Sequence, residues 1–206
     1  MKILAYDSSS EVLSVALYDG QTKIGGLDSP LFTRHSATLA PSLDILLKAH
    51  RVSLGDIEVI AVGLGPGSFT GLRVGITTAK VLAYALKKRI VGVSSLEVIA
   101  WGCEPEQEGD VAVILDAKKG KVYAALYRRE DQRMKAVQKP ALTERSAFLS
   151  RIKRPCRILD DKEALLPKAD NVAKAAVNLI REKKFIDPHK LEPLYLHPRT
   201  CNVIRK

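Results

Sequence analysis

The sequence has few cysteines and no long uninterrupted hydrophobic run. Its three cysteines, Cys103, Cys156 and Cys201, stand far apart, without a CxxC pair or the Cys-His spacing of a zinc site. We therefore interpret them as free thiols. No apolar run approaches the roughly 18 residues of a membrane span, and MKILAYDSSS at the N-terminus lacks the apolar core of a signal peptide. These absences predict a cytoplasmic protein without a membrane partner.

Acidic residues are outnumbered, and aromatic residues are scarce. The 206 residues include 33 Lys and Arg against 23 Asp and Glu, which gives a net charge of +10. Residues 104–206 hold 23 of the basic and 15 of the acidic residues, so most of the excess lies in the second half. This bias favours RNA or another polyanion as a partner. The basic residues are spread out without interleaved aromatics, however, which is also typical of a solvated surface.

The first half alternates strands and helices. Strands are predicted at 3–7, 13–19, 22–28, 59–63 and 90–94, the first three forming an antiparallel meander. Leucines from Leu39 to Leu47 recur at helical spacing, with Thr38 as a candidate N-cap and Pro41 in the first turn. A second helix is predicted from about Leu72 to Lys87, and a short third helix through Ile99.

An internal repeat links the two halves. DSSSEVLSVALY (7–18) aligns without a gap with DAKKGKVYAALY (116–127), and each segment follows an apolar strand that ends in Asp. Two unrelated hairpins can share this pattern, but a duplication predicts two lobes, 1–103 and a smaller 104–206. In the second lobe we expect further strands near 133–138 and 157–159, a helix near 144–151, a helix from about Asn171 to Lys184 capped by Asp170, and the tail PLYLHP (193–198).

Glycines are concentrated in one segment, GLGPGSFTGLRVG (63–75), between a predicted strand and a predicted helix. Backbone N–H groups at such a helix start are suited to an anion. The segment is not a Walker A loop, since no Gly-Lys-Ser/Thr follows, and it is one residue too long for GxGxxG. Taken alone, it is either an anion-binding loop or a structural turn.

The two Asp hairpins and the glycine-rich turn together resemble the actin, Hsp70 and sugar-kinase superfamily. Within it, HSATLAPSLDILL (35–47), GLGPGSFTGLRVGITTAKVLA (63–83) and PLYLHPR (193–199) are similar to the bacterial TsaB (YeaZ) family. This resemblance implies an α/β fold of duplicated lobes, with mixed sheets flanked by helices and a reduced second lobe. It implies a non-catalytic subunit for synthesis of N6-threonylcarbamoyladenosine at tRNA position 37. The implied partners are the catalytic paralogue TsaD and the ATPase TsaE, with tRNA contacted indirectly.

The resemblance also identifies a missing metal site. The catalytic paralogue carries HxxxH after the corresponding strand, and here Ser95 and Ile99 stand at the two histidine positions. The four histidines, His35, His50, His189 and His197, form no close pair, and His35 is more typical of a cap or packing residue than of a ligand. No Gly-x-Ser-x-Gly elbow or recognisable nucleophilic Cys is present. We predict no metal site and no catalytic residues, which disfavours a metallopeptidase.

A nucleotide site is the main alternative. Its candidate residues follow the superfamily pattern: Asp7, Gly65, Gly67, Ser68, Thr70, Gly71, Arg73 and Asp116. The Ser8–Ser10 turn lacks a glycine that would let a phosphate approach closely. No cofactor is expected to be required by this chain alone, although weakly bound ATP or ADP, or one shared at an interface, remains open. A stand-alone ATPase or kinase is the second functional hypothesis.

The predicted helix at 72–87 is apolar around most of its circumference, so it is either sandwiched within the chain or part of a subunit interface. Candidate interface residues from this helix and the Leu39–Leu47 helix are Leu39, Leu43, Leu46, Leu47, Ile76, Ala79, Lys80 and Ala83. The expected partner is a TsaD-like paralogue or a second copy of this chain. Ala79→Glu or Leu43→Asp is expected to abolish binding and to leave the monomer folded.

Overall fold

The computed structural model describes residues 1–30, 35–103, 109–131, 133–161 and 166–197. Cys201, residue 198 of the tail and the side chain of His35 lie outside the described part. Cys103 and Cys156 form no disulfide bond within the described ranges, as predicted. None of the helices in the described ranges is long and apolar enough to cross a membrane.

The first half forms a five-stranded mixed sheet in the order β3-β2-β1-β4-β5. Its strands are β1 (Lys2–Asp7), β2 (Val12–Asp19), β3 (Thr22–Pro30), β4 (Val59–Gly63) and β5 (Arg89–Val93). The first three pair antiparallel, whereas β1, β4 and β5 run parallel. The predicted meander and both later strands are confirmed.

The second half repeats this arrangement with one strand fewer, in the order β8-β7-β6-β9. Its strands are β6 (Gly109–Asp116), β7 (Val122–Glu130), β8 (Arg133–Thr143) and β9 (Cys156–Asp160). Strands β6 and β9 are parallel, as β1 and β4 are, and Asp116 ends β6 as Asp7 ends β1. The predicted duplication is confirmed by this topology.

In the part of the chain that the structure describes, five α-helices flank the sheets: α1 (His35–Ala49), α2 (Phe69–Leu86), α3 (Ser95–Ala100), α4 (Arg145–Leu149) and α5 (Ala169–Arg181). Three predicted helix starts were wrong. Helix α1 begins before Thr38, so Thr38 is not its cap and Pro41 lies in the second turn, where it removes one helical hydrogen bond. Helix α2 begins at Phe69, because the Ser68 hydroxyl accepts a hydrogen bond from the Gly71 N–H at 3.2 Å.

Asp170 is the third correction. It lies in the first turn of α5, and Lys168 occupies the cap position. The Asp170 carboxylate instead accepts hydrogen bonds from the Tyr18 hydroxyl at 3.2 Å and the Lys23 ammonium at 2.7 Å. A carboxylate in this turn still interacts favourably with the helix dipole, so the acidic residue marks the helix start without capping it.

The core is built in layers on both faces of each sheet. Because side chains alternate along a strand, Leu4 and Tyr6 pack under α1 and α2, whereas Ile3 and Ala5 pack under α5. The second sheet packs against α3 on one face and against α4 on the other. Helix α5 follows the second sheet in sequence yet packs on the first sheet, and α3 follows the first sheet yet packs on the second. The lobe boundary at residue 103 stays a prediction.

Candidate site around the glycine-rich turn

The glycine-rich turn connects β4 to α2 and lies directly against the first hairpin. A Cβ at Gly67 would overlap the Ser9 carbonyl oxygen, and one at Gly63 would overlap the Asp7 carboxylate. The Ser68 N–H donates to the Ser9 carbonyl oxygen at 2.6 Å. Glycine is therefore required here because the backbone of the hairpin approaches closely.

Three of the turn's N–H groups, those of Gly65, Ser68 and Gly71, donate to oxygen atoms of the chain itself. The Gly65 N–H donates to the Ser95 hydroxyl at 3.0 Å, and the Gly71 N–H donates to the Ser68 hydroxyl. An anion-binding loop presents such groups to a ligand, whereas these groups hold the turn to its neighbours. In this arrangement the segment has the contacts of a structural turn.

Asp7 is fully buried between the hairpin and α3. Its Oδ1 accepts hydrogen bonds from the Ser9 N–H at 2.7 Å and the Ser9 hydroxyl at 2.6 Å, and its Oδ2 accepts one from the Ser95 hydroxyl at 2.7 Å. Burial raises the pKa of Asp7 above its usual value, and the hydrogen bonds from Ser9 and Ser95 oppose that shift without cancelling it. A phosphate reaches this carboxylate only if these contacts open.

The two positions matched to metal-binding histidines have clear structural roles. Ser95, at the start of α3, is 1% exposed and joins Asp7 to Gly65. Ile99, one turn later, is 2% exposed and packs with Val111 and Tyr127 of the second sheet. Within the described ranges, no three His, Cys, Asp or Glu side chains are grouped as metal ligands would be.

Asp116, the counterpart of Asp7, has a different environment. It is exposed, and its carboxylate lies 3.0 Å from the Lys118 ammonium. The hydrogen bonds from Lys118 hold the pKa of Asp116 below its usual value. Its backbone N–H donates to Asp161 at 2.9 Å. The structure thus places one predicted aspartate inside the first lobe and the other at the surface of the second.

The remaining candidate nucleotide-binding residues also lie in different environments. Gly65 and Gly71 are buried, and Thr70 and Arg73 are exposed. The Arg73 guanidinium lies 3.8 Å from the centroid of the Phe69 ring, and its Nε donates to the Tyr195 hydroxyl at 3.4 Å. Arg73 is therefore part of an aromatic surface cluster, and nucleotide binding by these residues stays a prediction.

Most of the predicted interface residues lie inside the chain's own core. All are at most 5% exposed except the half-buried Lys80: Leu39, Leu43, Leu46, Leu47, Ile76, Ala79 and Ala83. Hydrophobic residues at helical spacing mark the face turned toward the sheet, so little of their surface is available to another subunit in this fold. Ala79→Glu or Leu43→Asp would place a charge in the core, so these variants are expected to unfold the monomer.

A different apolar surface is exposed. The exposed apolar and aromatic side chains are Phe69, Val81 and Tyr84 on α2, Ile45 on α1, which packs against α2, and Tyr195 of the tail, each 51–69% exposed. We call these five residues the α2 stripe. At one end Tyr195 packs on Phe69, with ring centroids 5.9 Å apart, and at the other end Tyr84 packs edge-on against His189. The spacing of Phe69, Val81 and Tyr84 along one helix was the signal that sequence reasoning missed.

Comparison with known proteins agrees with this architecture. The family model described as TsaD, tRNA N6-adenosine threonylcarbamoyltransferase, matches residues 17–183. The tRNA threonylcarbamoyladenosine biosynthesis protein TsaB of Escherichia coli K12 is 33% identical over 95% of this chain and 94% of its own length. TsaB of Bacillus subtilis 168 is 39% identical over 62% of this chain and 56% of its own length.

Solved structures give the same result. YeaZ from Pseudomonas aeruginosa superposes with a TM-score of 0.82 and 26% identity, covering 95% of this chain and 99% of that one. The activator of 2-hydroxyisocaproyl-CoA dehydratase from Clostridium difficile, solved with bound ADPNP, has a TM-score of 0.50 and 10% identity over 89% and 96% of the two chains. It shares the actin-like fold alone. The chain belongs to the TsaB (YeaZ) family of tRNA threonylcarbamoyladenosine biosynthesis proteins.

Proposed function

We propose that this chain is a non-catalytic scaffold and activator subunit of the complex that makes threonylcarbamoyladenosine on tRNA. It binds a TsaD-like catalytic paralogue, with a TsaE-like ATPase as a further component. A second copy of the chain competes for the same surface when the paralogue is absent. The proposal includes the cytoplasmic location predicted from the composition, and it requires no cofactor bound by this chain alone.

The observation that carries this proposal is the arrangement of Ser95 and Ile99. A metal site at these positions needs two imidazoles on one helix face. Here one side chain bonds Asp7 and Gly65, and the other packs in the core against Val111. Both positions serve the fold, which supports a subunit that acts by binding.

The α2 stripe supports the partner surface. Exposed aromatic and aliphatic side chains on one helix are typical of protein interfaces, and Tyr and Arg are enriched among residues that dominate binding. Arg73 lies over Phe69 in this stripe, and Tyr84 is 69% exposed. Any ATP or ADP shared with the paralogue would meet this chain at Gly67, Thr70 and Arg73, the exposed candidates at the turn and the start of α2.

The direct test is reconstitution of tRNA modification by the purified paralogue and ATPase, with and without this chain. We expect threonylcarbamoyladenosine to form efficiently only when the chain is added. Equal product yield in its absence would contradict the proposal. ATP hydrolysis by the purified chain alone would instead support the stand-alone ATPase.

The surface is tested separately by co-purification. Tyr84→Glu places a charge on the α2 stripe, and we expect loss of the paralogue from affinity pull-downs. Ile158→Glu is the matched control, since Ile158 is 40% exposed but lies on β9 of the second sheet. Both variants should keep native circular dichroism, and unchanged recovery of the paralogue with Tyr84→Glu would rule out this surface.

A further inference from the structure

The outer face of the second sheet is much less covered than its counterpart in the first. Helices α1 and α2, of 15 and 18 residues, cover the first sheet. Among the described residues, this face of the second sheet is covered by α4 alone, a helix of five residues whose Phe148 packs on Leu126 and Ala124. Between β9 and α5 there are only residues 161–168, too few for a helix like α2. The duplication has therefore left this face partly open.

A groove of about 600 Å³ occupies the open face, beside α4. Its floor is formed by β7 and β8, and its rim by the segment that follows α4. The charged side chains that line it are Asp110, Arg128, Lys139, Arg151, Lys153 and Arg154. Five cations and one carboxylate give the groove a net charge of +4.

The single carboxylate is already neutralised. Arg128 donates to the two Asp110 oxygens at 2.6 and 2.9 Å, a bidentate pair. Arg128, and to a smaller extent Arg154, hold the pKa of Asp110 below its usual value, so the pair stays charged at neutral pH. The other four cations are exposed, and none of them forms an ion pair with any residue in the described ranges. They carry the positive potential of the groove.

We infer that this groove binds the phosphodiester backbone of RNA, and that the chain contacts tRNA directly. Four unpaired cations around one concavity are the pattern by which proteins neutralise successive phosphates. Phe148 is the only aromatic side chain among the described residues of the lining, and it is 3% exposed, so base stacking is not available and binding is independent of sequence. The choice of RNA among polyanions rests on the function proposed above. RNA binding would also give a role to the excess of basic residues in the second half.

The test measures fluorescence anisotropy of a labelled, unmodified tRNA transcript with the full chain over a salt series. Lys153→Glu with Arg154→Glu removes two rim cations. Lys174→Glu with Lys183→Glu is the control: both residues are exposed on or just after α5, on the first sheet, and the change in net charge is the same. We expect the groove variant to bind roughly tenfold or more weakly, with a salt slope reduced by about two. The control should bind like the unchanged chain.

Equal binding by the groove and control variants overturns the inference. Competition by poly-glutamate as effective as that by unlabelled transcript also overturns it, because the groove would then accept acidic polypeptide. Co-purification of the paralogue separates the two proposals, since the groove variant should retain it. A chain that stimulates tRNA modification but gives no anisotropy change refutes the groove assignment and leaves the proposed function intact.

Discussion

Ser95 connects three parts of the chain through one hydroxyl group. It donates to the Asp7 carboxylate, accepts from the Gly65 N–H, and lies 3.1 Å from the Ser9 hydroxyl. All these groups are buried, where an unpaired polar atom costs more than in water. A side chain at a position associated with metal binding in the paralogue is thus a fixed part of this fold.

We predict that Ser95→Ala destabilises the protein by about 1–3 kcal/mol, because it leaves Asp7 and the Gly65 N–H each without one buried partner. Urea unfolding followed by circular dichroism measures the change. Ser94→Ala is the neighbouring control, since the Ser94 hydroxyl lies 3.4 Å from the Gly65 carbonyl oxygen, farther than Ser95 lies from its partners. A loss for Ser95→Ala no larger than that for Ser94→Ala would show that the network does not stabilise the fold.

Glu97 gives a pH-dependent prediction. Burial raises its pKa to about 7 in the folded protein, above the ordinary value of 4.5. The folded state therefore binds the proton more tightly than the unfolded state, and stability falls as pH rises from about 4.5 to about 7. We expect the Glu97→Gln variant to lose less stability over this pH range. At pH 8 it should be more stable than the unchanged chain by up to about 3 kcal/mol, at roughly 1.4 kcal/mol per pKa unit.

Urea titrations at several pH values between 5 and 8 check this prediction. Asp7 also has a raised pKa and contributes to the pH dependence. It is present in both the unchanged chain and Glu97→Gln, so its contribution is common to the two. The difference between the unchanged chain and Glu97→Gln isolates Glu97. Parallel stability curves for the two would mean that this carboxylate does not titrate in that range.

At the scale of elements, α1 presents two different faces within a few residues. Leu43 is 5% exposed and packs under the first sheet, whereas Ile45 is 59% exposed in the α2 stripe. We expect Leu43→Ala to lower the free energy of unfolding by about 2–5 kcal/mol and Ile45→Ala to change it by about 0.5 kcal/mol or less. Thermal and urea unfolding of both variants compare them directly, and equal losses would contradict the assigned faces.

Element types and the repeat were predictable because they depend on local periodicity, as the Asp7 and Asp116 hairpins illustrate. Helix starts were less predictable. Ser68 and Asp170 are both good capping residues, and the tertiary contacts around each residue decide whether it caps its helix. There is a physical reason why most of the predicted interface residues are buried in the chain's own core. Leu43 and Ala79 have the spacing of an apolar face, and a sequence does not indicate whether the chain itself or a partner covers that face.

The hydrogen bonds between Asp7 and Ser95 could not be predicted from the sequence either. Asp7 and Ser95 are separated by 88 positions, and only the parallel alignment of β1, β4 and β5 brings their side chains together. The absence of glycine in the Ser8–Ser10 turn pointed in this direction, because it argued against close approach of a phosphate. The groove on the second sheet had a weaker signal, the excess of basic residues after residue 103.

At the scale of the whole molecule, two helices couple the halves. Helix α3 follows the first sheet in sequence but packs on the second, and α5 follows the second sheet but packs on the first. Trp101, the only tryptophan, is 7% exposed and lies among core residues contributed by the first sheet and α5. The Arg129 guanidinium of the second sheet lies 5.2 Å from its ring. A reporter at this position senses both halves at once.

We therefore predict a single cooperative unfolding transition in spite of the two sheets. Trp101 fluorescence and far-ultraviolet circular dichroism should give the same midpoint in urea, and the calorimetric and van't Hoff enthalpies should agree. Two separate transitions, or a fluorescence midpoint well apart from the circular dichroism midpoint, would indicate that the halves unfold independently. Phe185 of the first sheet's core replaced by Trp, in a Trp101→Phe background, provides a second probe.

The position of α5 also has a consequence for synthesis. The first sheet is complete by Val93, but the helix that covers its second face ends at Arg181. At about 5–20 residues per second, translation of the intervening segment takes roughly 4–18 seconds. During that time Ile3, Ala5 and their neighbours have no α5 to cover them, so the nascent first half presents an apolar face on which molecular chaperones would act.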